Sequence, residues 1–94
     1  ANCFLATKVI FANEFKALCD TVGVNYSNIA EVAALDTRLG YTHWRVPGPD
    51  GKLGFGGSCF PKDTSALASY ADGNDSTLWL LAEAMYINEG LRNK

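Results

Sequence analysis

This 94-residue chain has no excess of basic charge: eight Lys and Arg face ten Asp and Glu, for a formal net charge of -2. Without a basic excess to neutralise phosphates, the charge balance argues against a nucleic-acid-binding role. No apolar run approaches the roughly 20 residues that a spanning helix needs. No basic stretch precedes a short apolar run with a small-residue cleavage site, so neither membrane span nor signal peptide is expected. Cysteine is scarce too. Cys3, Cys19 and Cys59 form no C-x-x-C pair, and an odd, widely spaced set suits neither a disulfide framework nor a zinc site. Reduced thiols in a cytoplasmic protein without a bound metal are the expectation. With 48% hydrophobic and 19% charged residues, disorder is excluded and one small soluble domain is expected. A chain this short buries only about 60 to 68% of its unfolded surface, so self-association is expected to supplement a modest core.

β-alternation is also missing, and helical periodicity takes its place. Leu5, Val9, Ala12, Phe15, Leu18, Cys19 and Val22 recur at three- and four-residue steps, which predicts a helix over 2–22 with that set facing the core. Gly23 supplies its left-handed stop. Phe4 and Phe11 lie off the stripe, so the helix is expected to be covered on more than one side. Ser27 or Asn28, the latter with Glu31 three residues on, caps a short second helix ending near Asp36, with Ile29, Val32 and Leu35 buried. After Pro61 a third helix runs through Thr64, Leu67, Ala68 and Ala71 to Gly73. Asp75 or Ser76 caps a fourth, with Leu78, Leu81, Ala82, Met85 and Ile87 or Asn88 inward. Trp44, Trp79, Tyr86 and Phe15 read as packing residues. The fold class is all-α, a single domain over 1–94 with long first and last helices and one elaborate loop. The chain starts at Ala1 rather than Met and enters a helical pattern without a cap, so a piece of a longer protein is expected.

All three prolines and six of the nine glycines fall between Gly40 and Asp63. That excludes a regular helix or central strand there and predicts a long shaped loop. Its sharpest part is Gly54-Phe55-Gly56-Gly57-Ser58-Cys59-Phe60-Pro61-Lys62-Asp63, a thiol at the joint between glycines and a helix start. Glycines let backbone N–H groups approach a ligand, and a helix N-terminus favours negative charge. With Lys62 nearby, a lowered thiol pKa and a reactive thiolate at Cys59 are expected. The bland alternative is a small buried hydrophobe, a role that suits Cys3 and Cys19 better. Asp63 is open to two readings, an N-cap for the helix or a carboxylate that steers a proton or water. His43, the sole histidine, reads as an exposed loop residue. The glycine string is neither a G-x-G-x-x-G fingerprint between strand and helix nor a P-loop, so any nucleotide cofactor must be held mainly by another domain.

The stretch GFGGSCFPKDT resembles the active-site segment of the UDP-glucose/GDP-mannose dehydrogenase family. ANCFLATKVIFANEFKALCDTVGV is similar to the family's long central helix, and DTRLG to its D-x-R-I-G element, with Leu39 in place of isoleucine. The resemblance covers essentially the whole chain. It implies the central, dimerising helical domain of a three-domain enzyme, of the 6-phosphogluconate dehydrogenase C-terminal-like type. Flanking Rossmann-type domains would hold NAD on one side and the sugar nucleotide on the other.

What the resemblance implies for individual residues is specific. Cys59 is the nucleophile in a two-step, NAD-dependent oxidation of a sugar CH2OH to a carboxylate. Asp63 matches an aspartate associated with water activation and hydrolysis. Asn2 matches an asparagine that contacts substrate at the reacting centre and can stabilise an oxyanion. Lys62 matches a lysine near NAD and the thiol. Gly56 matches a backbone position against the sugar nucleotide, and the 48–53 segment, Lys52 included, lines it. Arg38 matches an arginine reaching the substrate of the neighbouring subunit in a homodimer; its bland reading is a solvated charge. The family also carries a catalytic lysine four residues before the asparagine. The numbering stops at Ala1, so this chain alone is expected to be inactive. The CFPKD form of the motif favours UDP-glucose over GDP-mannose, because the GDP-mannose branch often carries leucine after the cysteine. The alternatives are a GDP-mannose enzyme and, from a different class, a non-catalytic helical interaction module.

Overall fold

The structure, a computed structural model, describes residues 1–93. Four helices account for its regular structure: α1 (Asn2–Val22), α2 (Tyr26–Ala33), α3 (Cys59–Gly73) and α4 (Trp79–Arg92). The domain is all-α, as the periodicity predicts, with no strand among the described residues. The longest helix, α1, is the common wall, packing against α2, α3 and α4, while α3 also touches α4.

Because three elements touch α1, its buried side is wider than one stripe. Ala6, Ile10, Ala12, Asn13 and Cys19 are the buried positions, and the alanines let neighbouring helices approach closely. Ala12 and Cys19 are on the predicted face, but Leu18 and Val22 are not covered. They join Phe4 and Phe11 in a solvent-facing stripe whose members are 55 to 79% exposed. Gly23 ends the helix in the left-handed region at φ 77°, as its position predicts.

The other caps differ from those predicted. The N-cap of α2 is Asn25, whose side chain accepts from the Asn28 N–H, rather than Ser27 or Asn28. The helix stops at Ala33, and Val32 and Leu35 are exposed because nothing overlies that side. Helix α3 begins two residues before Pro61, with Ser58 at its N-cap, so Asp63 lies inside the helix and not at its cap. Pro61 is tolerated there because the N–H groups of a first turn have no intrahelical acceptor. Leu78, not Asp75 or Ser76, precedes α4, and no side chain caps that end. Trp79 and Tyr86 face outward, leaving Leu81 and Ala84 as the buried residues of α4.

Two apolar clusters form the core. Ala6, Ile10, Phe55 and Ala84 make the first, and Ala12, Cys19 and Tyr26 the second. The 34–58 segment belongs to both, since Phe55 plugs the first and Val46 packs on the second. Tyr26 donates its hydroxyl proton to the Trp44 carbonyl, and burial, with Cys19 a second influence, raises its pKa. Lys8 lies over the Trp44 ring, 4.8 Å from its centroid, and donates to the Leu39 carbonyl at 2.8 Å. These contacts fix the near half of the loop against α1 and α2. Tyr26→Phe leaves the Trp44 carbonyl without its donor and is expected to destabilise the domain by about 1 to 2 kcal/mol, read from the midpoint shift in urea unfolding.

Candidate active site

Cys59 is the first residue of α3 and its thiol is exposed, unlike Cys19, which is buried, and Cys3, which is half-buried. It borders a cleft of about 520 Å³ whose walls include Val9, His43, Phe55, Gly56, Cys59 and Arg92. The floor is apolar: Phe60 packs edge-on against Phe55 at 6.1 Å and stacks on the His43 ring at 5.6 Å. His43 is therefore a half-buried part of the cleft wall rather than a free surface residue, and its backbone has φ 67°.

One helical turn beyond Cys59, on the same face of α3, stands Asp63. Its carboxylate accepts from Asn2 Nδ2 at 2.8 Å, a bond between residues 61 apart in sequence that ties the first turn of α1 to α3. The Cys3 thiol donates to the Asp63 carbonyl at 3.5 Å, so two successive residues of α1 hold this turn. Lys62 Nζ lies 3.9 Å from the other Asp63 oxygen and is otherwise solvent-facing. Asn2, Lys62 and Asp63 are thus brought together one helical turn from Cys59, and of these four only Cys59 lines the cleft.

Gly56, also on the cleft wall, has a spatial reason for lacking a side chain: a Cβ there would collide with the Arg92 guanidinium. Gly54 has φ 75°, and its missing Cβ makes room for the Asn88 amide. The remaining two predicted residues lie elsewhere. Lys52 is exposed and does not line the cleft, and only its backbone is engaged: its N–H donates to Asp50 Oδ1 at 3.0 Å and its carbonyl accepts from the Gly48 N–H at 3.0 Å. Arg38 is away from the cleft and 87% exposed, held by Asp36 through bonds of 2.8 and 3.1 Å. Those bonds keep the Asp36 carboxyl below its ordinary pKa and raise that of Arg38.

Three polar residues that motif reading did not reach, Asn13, Asn88 and Arg92, hold the glycine loop from behind. Asn13 Oδ1 accepts from the Gly54 N–H at 2.9 Å. Asn88 pairs with both polar groups of Phe55, accepting from its N–H at 2.7 Å and donating to its carbonyl at 3.1 Å. Arg92 Nε donates to that same carbonyl at 2.9 Å, and its Nη2 forms an ion pair with Asp50 at 2.8 Å. The Arg92 bond, with help from the Lys52 N–H, holds the Asp50 carboxyl below its ordinary pKa of 3.8. A depressed folded value means that this strap is intact above the unfolded pKa and is lost as pH falls through the lower folded one. The available signal was Asn13 and Asn88, amides set among inward apolar positions.

The sequence of the chain has counterparts among known proteins. Residues 1–90 match the model of the UDP-glucose/GDP-mannose dehydrogenase family, central domain. The chain belongs to that family. It is 39% identical over 92 residues to the UDP-glucose 6-dehydrogenase TuaD of Bacillus subtilis, covering 98% of this chain and 19% of the relative. It is 41% identical over 88 residues to a UDP-glucose 6-dehydrogenase of Rhizobium meliloti, covering 94% of this chain and 19% of that protein. A third UDP-glucose 6-dehydrogenase, from Pseudomonas aeruginosa, is 43% identical over 86 residues, or 89% of this chain and 18% of the relative. The chain therefore spans about a fifth of the length of these dehydrogenases. No helix among the described residues is long and apolar enough to cross a membrane, and they contain no group of three or more metal-ligating side chains.

Gly54→Ala forces an L-residue into the left-handed region and drives a methyl into Asn88. It is expected to cost about 2 kcal/mol or more, measured as the loss of thermal or urea stability.

Proposed function

We propose that this domain is the catalytic-cysteine-bearing, dimer-forming centre of a three-domain UDP-glucose 6-dehydrogenase that makes UDP-glucuronate with two NAD. The observation that carries the reading is the grouping of an exposed helix-start thiol, Cys59, with an Asn2–Asp63 pair one turn away beside a cleft of about 520 Å³. The names of the relatives supply the substrate. Three free cysteines suit a cytoplasmic setting.

In the reaction the first oxidation turns the sugar CH2OH into an aldehyde. Cys59 Sγ adds to its carbonyl carbon and the oxygen takes up a proton, giving a thiohemiacetal that cannot diffuse away. Asn2 Nδ2 has two protons, one committed to Asp63; the other is available to the oxygen as charge develops on it. The second oxidation leaves a thioester on Cys59. Asp63, its carboxylate oriented by Asn2, takes a proton from water, which attacks the thioester carbon and releases the acid and the thiol. NAD, when bound, accepts the hydride in both oxidations. The glycine loop here is filled from behind by Asn88 and Arg92, so it offers the dinucleotide no cradle; the exposed Lys62 ammonium fits as one wall of a site built mainly by another domain.

Dimerisation is supported by the stripe of Phe4, Phe11, Leu18 and Val22, each more than half exposed along 19 residues of one helix face. Arg38, exposed and outside its own cleft, suits a role at the partner's substrate. Without flanking domains this chain is inactive.

Two experiments test the reading. In the full-length dehydrogenase, Cys59→Ser is expected to lower kcat by about a thousandfold or more, the scale of losing a nucleophile. Retained turnover of UDP-glucose with NAD would sink the assignment, and turnover of GDP-mannose in its place would move the substrate. In sedimentation, the 94-residue chain is expected to run as a dimer and its Phe11→Asp variant as a monomer; a wild-type monomer at high concentration rules α1 out as a sufficient interface.

A further inference from the structure

Arg92 lines the cleft, and the proposed chemistry leaves it without a task. It sits at the last position of α4, with its side chain only 19% exposed, and it reaches back to the loop that leads into Cys59. Its Nε holds the Phe55 carbonyl at 2.9 Å and its Nη2 holds Asp50 at 2.8 Å, so one planar guanidinium bridges two points of the loop five residues apart. The absent Cβ of Gly56 is the space that the guanidinium fills. Its third nitrogen, Nη1, is buried and has no partner among the described residues, which is a cost accepted by a group whose other bonds fix its place. Only three residues, Gly56, Gly57 and Ser58, separate Phe55 from Cys59, and they offer little steric resistance. Left to themselves they would let the thiol wander. Pinning the Phe55 carbonyl therefore sets the thiol's position against the cleft.

We propose that Arg92, acting with Asp50, is a positioning residue for the Cys59 thiol. The guanidinium holds the glycine loop in the one arrangement that aims Sγ into the cleft, and it touches neither substrate nor cofactor itself. For its effect on turnover the inference rests on Cys59 being the nucleophile, as proposed above; for its effect on the thiol it does not. A lysine at 92 keeps the charge but has no planar fork to bond the carbonyl and the carboxylate together. An asparagine at 50 still accepts from the Lys52 N–H but loses the charge that draws Arg92.

The test uses the full-length dehydrogenase with Arg92→Lys, Asp50→Asn and the double variant. Two rates are read: turnover, and iodoacetamide labelling of Cys59 followed by mass spectrometry, with Cys3 and Cys19 as internal references. Both single variants are expected to lower kcat by about ten- to a hundredfold, the scale of an ångström-sized misplacement, with a small change in KM. Cys59 labelling is expected to change several-fold while Cys3 and Cys19 labelling stays constant. The double variant is expected to be no worse than the worse single one, because both changes remove one link. Wild-type kcat and wild-type labelling of Cys59 in both single variants overturn the proposal. So does a lowered melting temperature with no change in Cys59 labelling, which is what a merely structural role gives. Should Arg92→Lys fail to fold, Asp50→Asn, at a carboxylate 46% exposed, decides alone. If Cys59→Ser retains turnover, the catalytic reading fails while the labelling comparison still judges Arg92.

Discussion

Three backbone polar groups, the N–H of Gly54 and the N–H and carbonyl of Phe55, lie where the first core cluster excludes water, and the far half of the loop depends on how they are satisfied. An irregular segment brings no ladder of its own, so each buried group must be paired by a side chain or remain a penalty. Asn13 from α1 and Asn88 and Arg92 from α4 provide the partners. Phe55 is then free to drop into the space between Ala6, Ile10 and Ala84, and its ring braces Phe60 in the first turn of α3. Polar pairing and apolar burial thus operate on the same residue, and neither is sufficient alone.

The opposite end of the site is built differently. Cys59 and Asp63 share a helix face, so their spacing is fixed by helix geometry rather than by side-chain packing. What needs fixing is the rotation of the Asp63 carboxylate, and Asn2 supplies that from another helix. The result is a site with a rigid baseline along α3 and two independent supports, one through Asn2 and one through Phe55.

Much of the fold was legible because the sequence carries strong periodicity and strong punctuation. The extent of α1, its end at Gly23, the loop from Gly40 and the helix after the cysteine all follow from local rules that packing does not override. The helix starts were less legible. Asn25, Ser58 and Leu78 precede the helices instead of the polar residues expected, because several plausible caps stood side by side and tertiary contacts chose among them. The outward turn of Leu18, Val22, Trp79 and Tyr86 was illegible for another reason: an apolar residue left at the surface has the same chemistry as one placed in the core. The cysteine motif announced itself through its glycines, whereas Asn88 and Arg92, which explain why two of those glycines are glycines, are distant in sequence, and Arg92 fits no local pattern.

The hydrogen bond between Asn2 and Asp63 joins residues 61 positions apart, across α1, α2 and the whole loop. Such a contact forms only after the intervening chain has been closed into a ring, and ring closure over that distance is an event of global folding rather than of any single helix. The carboxylate beside Cys59 is therefore oriented only when the domain is complete. A nascent or partly melted chain that forms α3 displays the thiol at its head without the neighbour that α1 must bring.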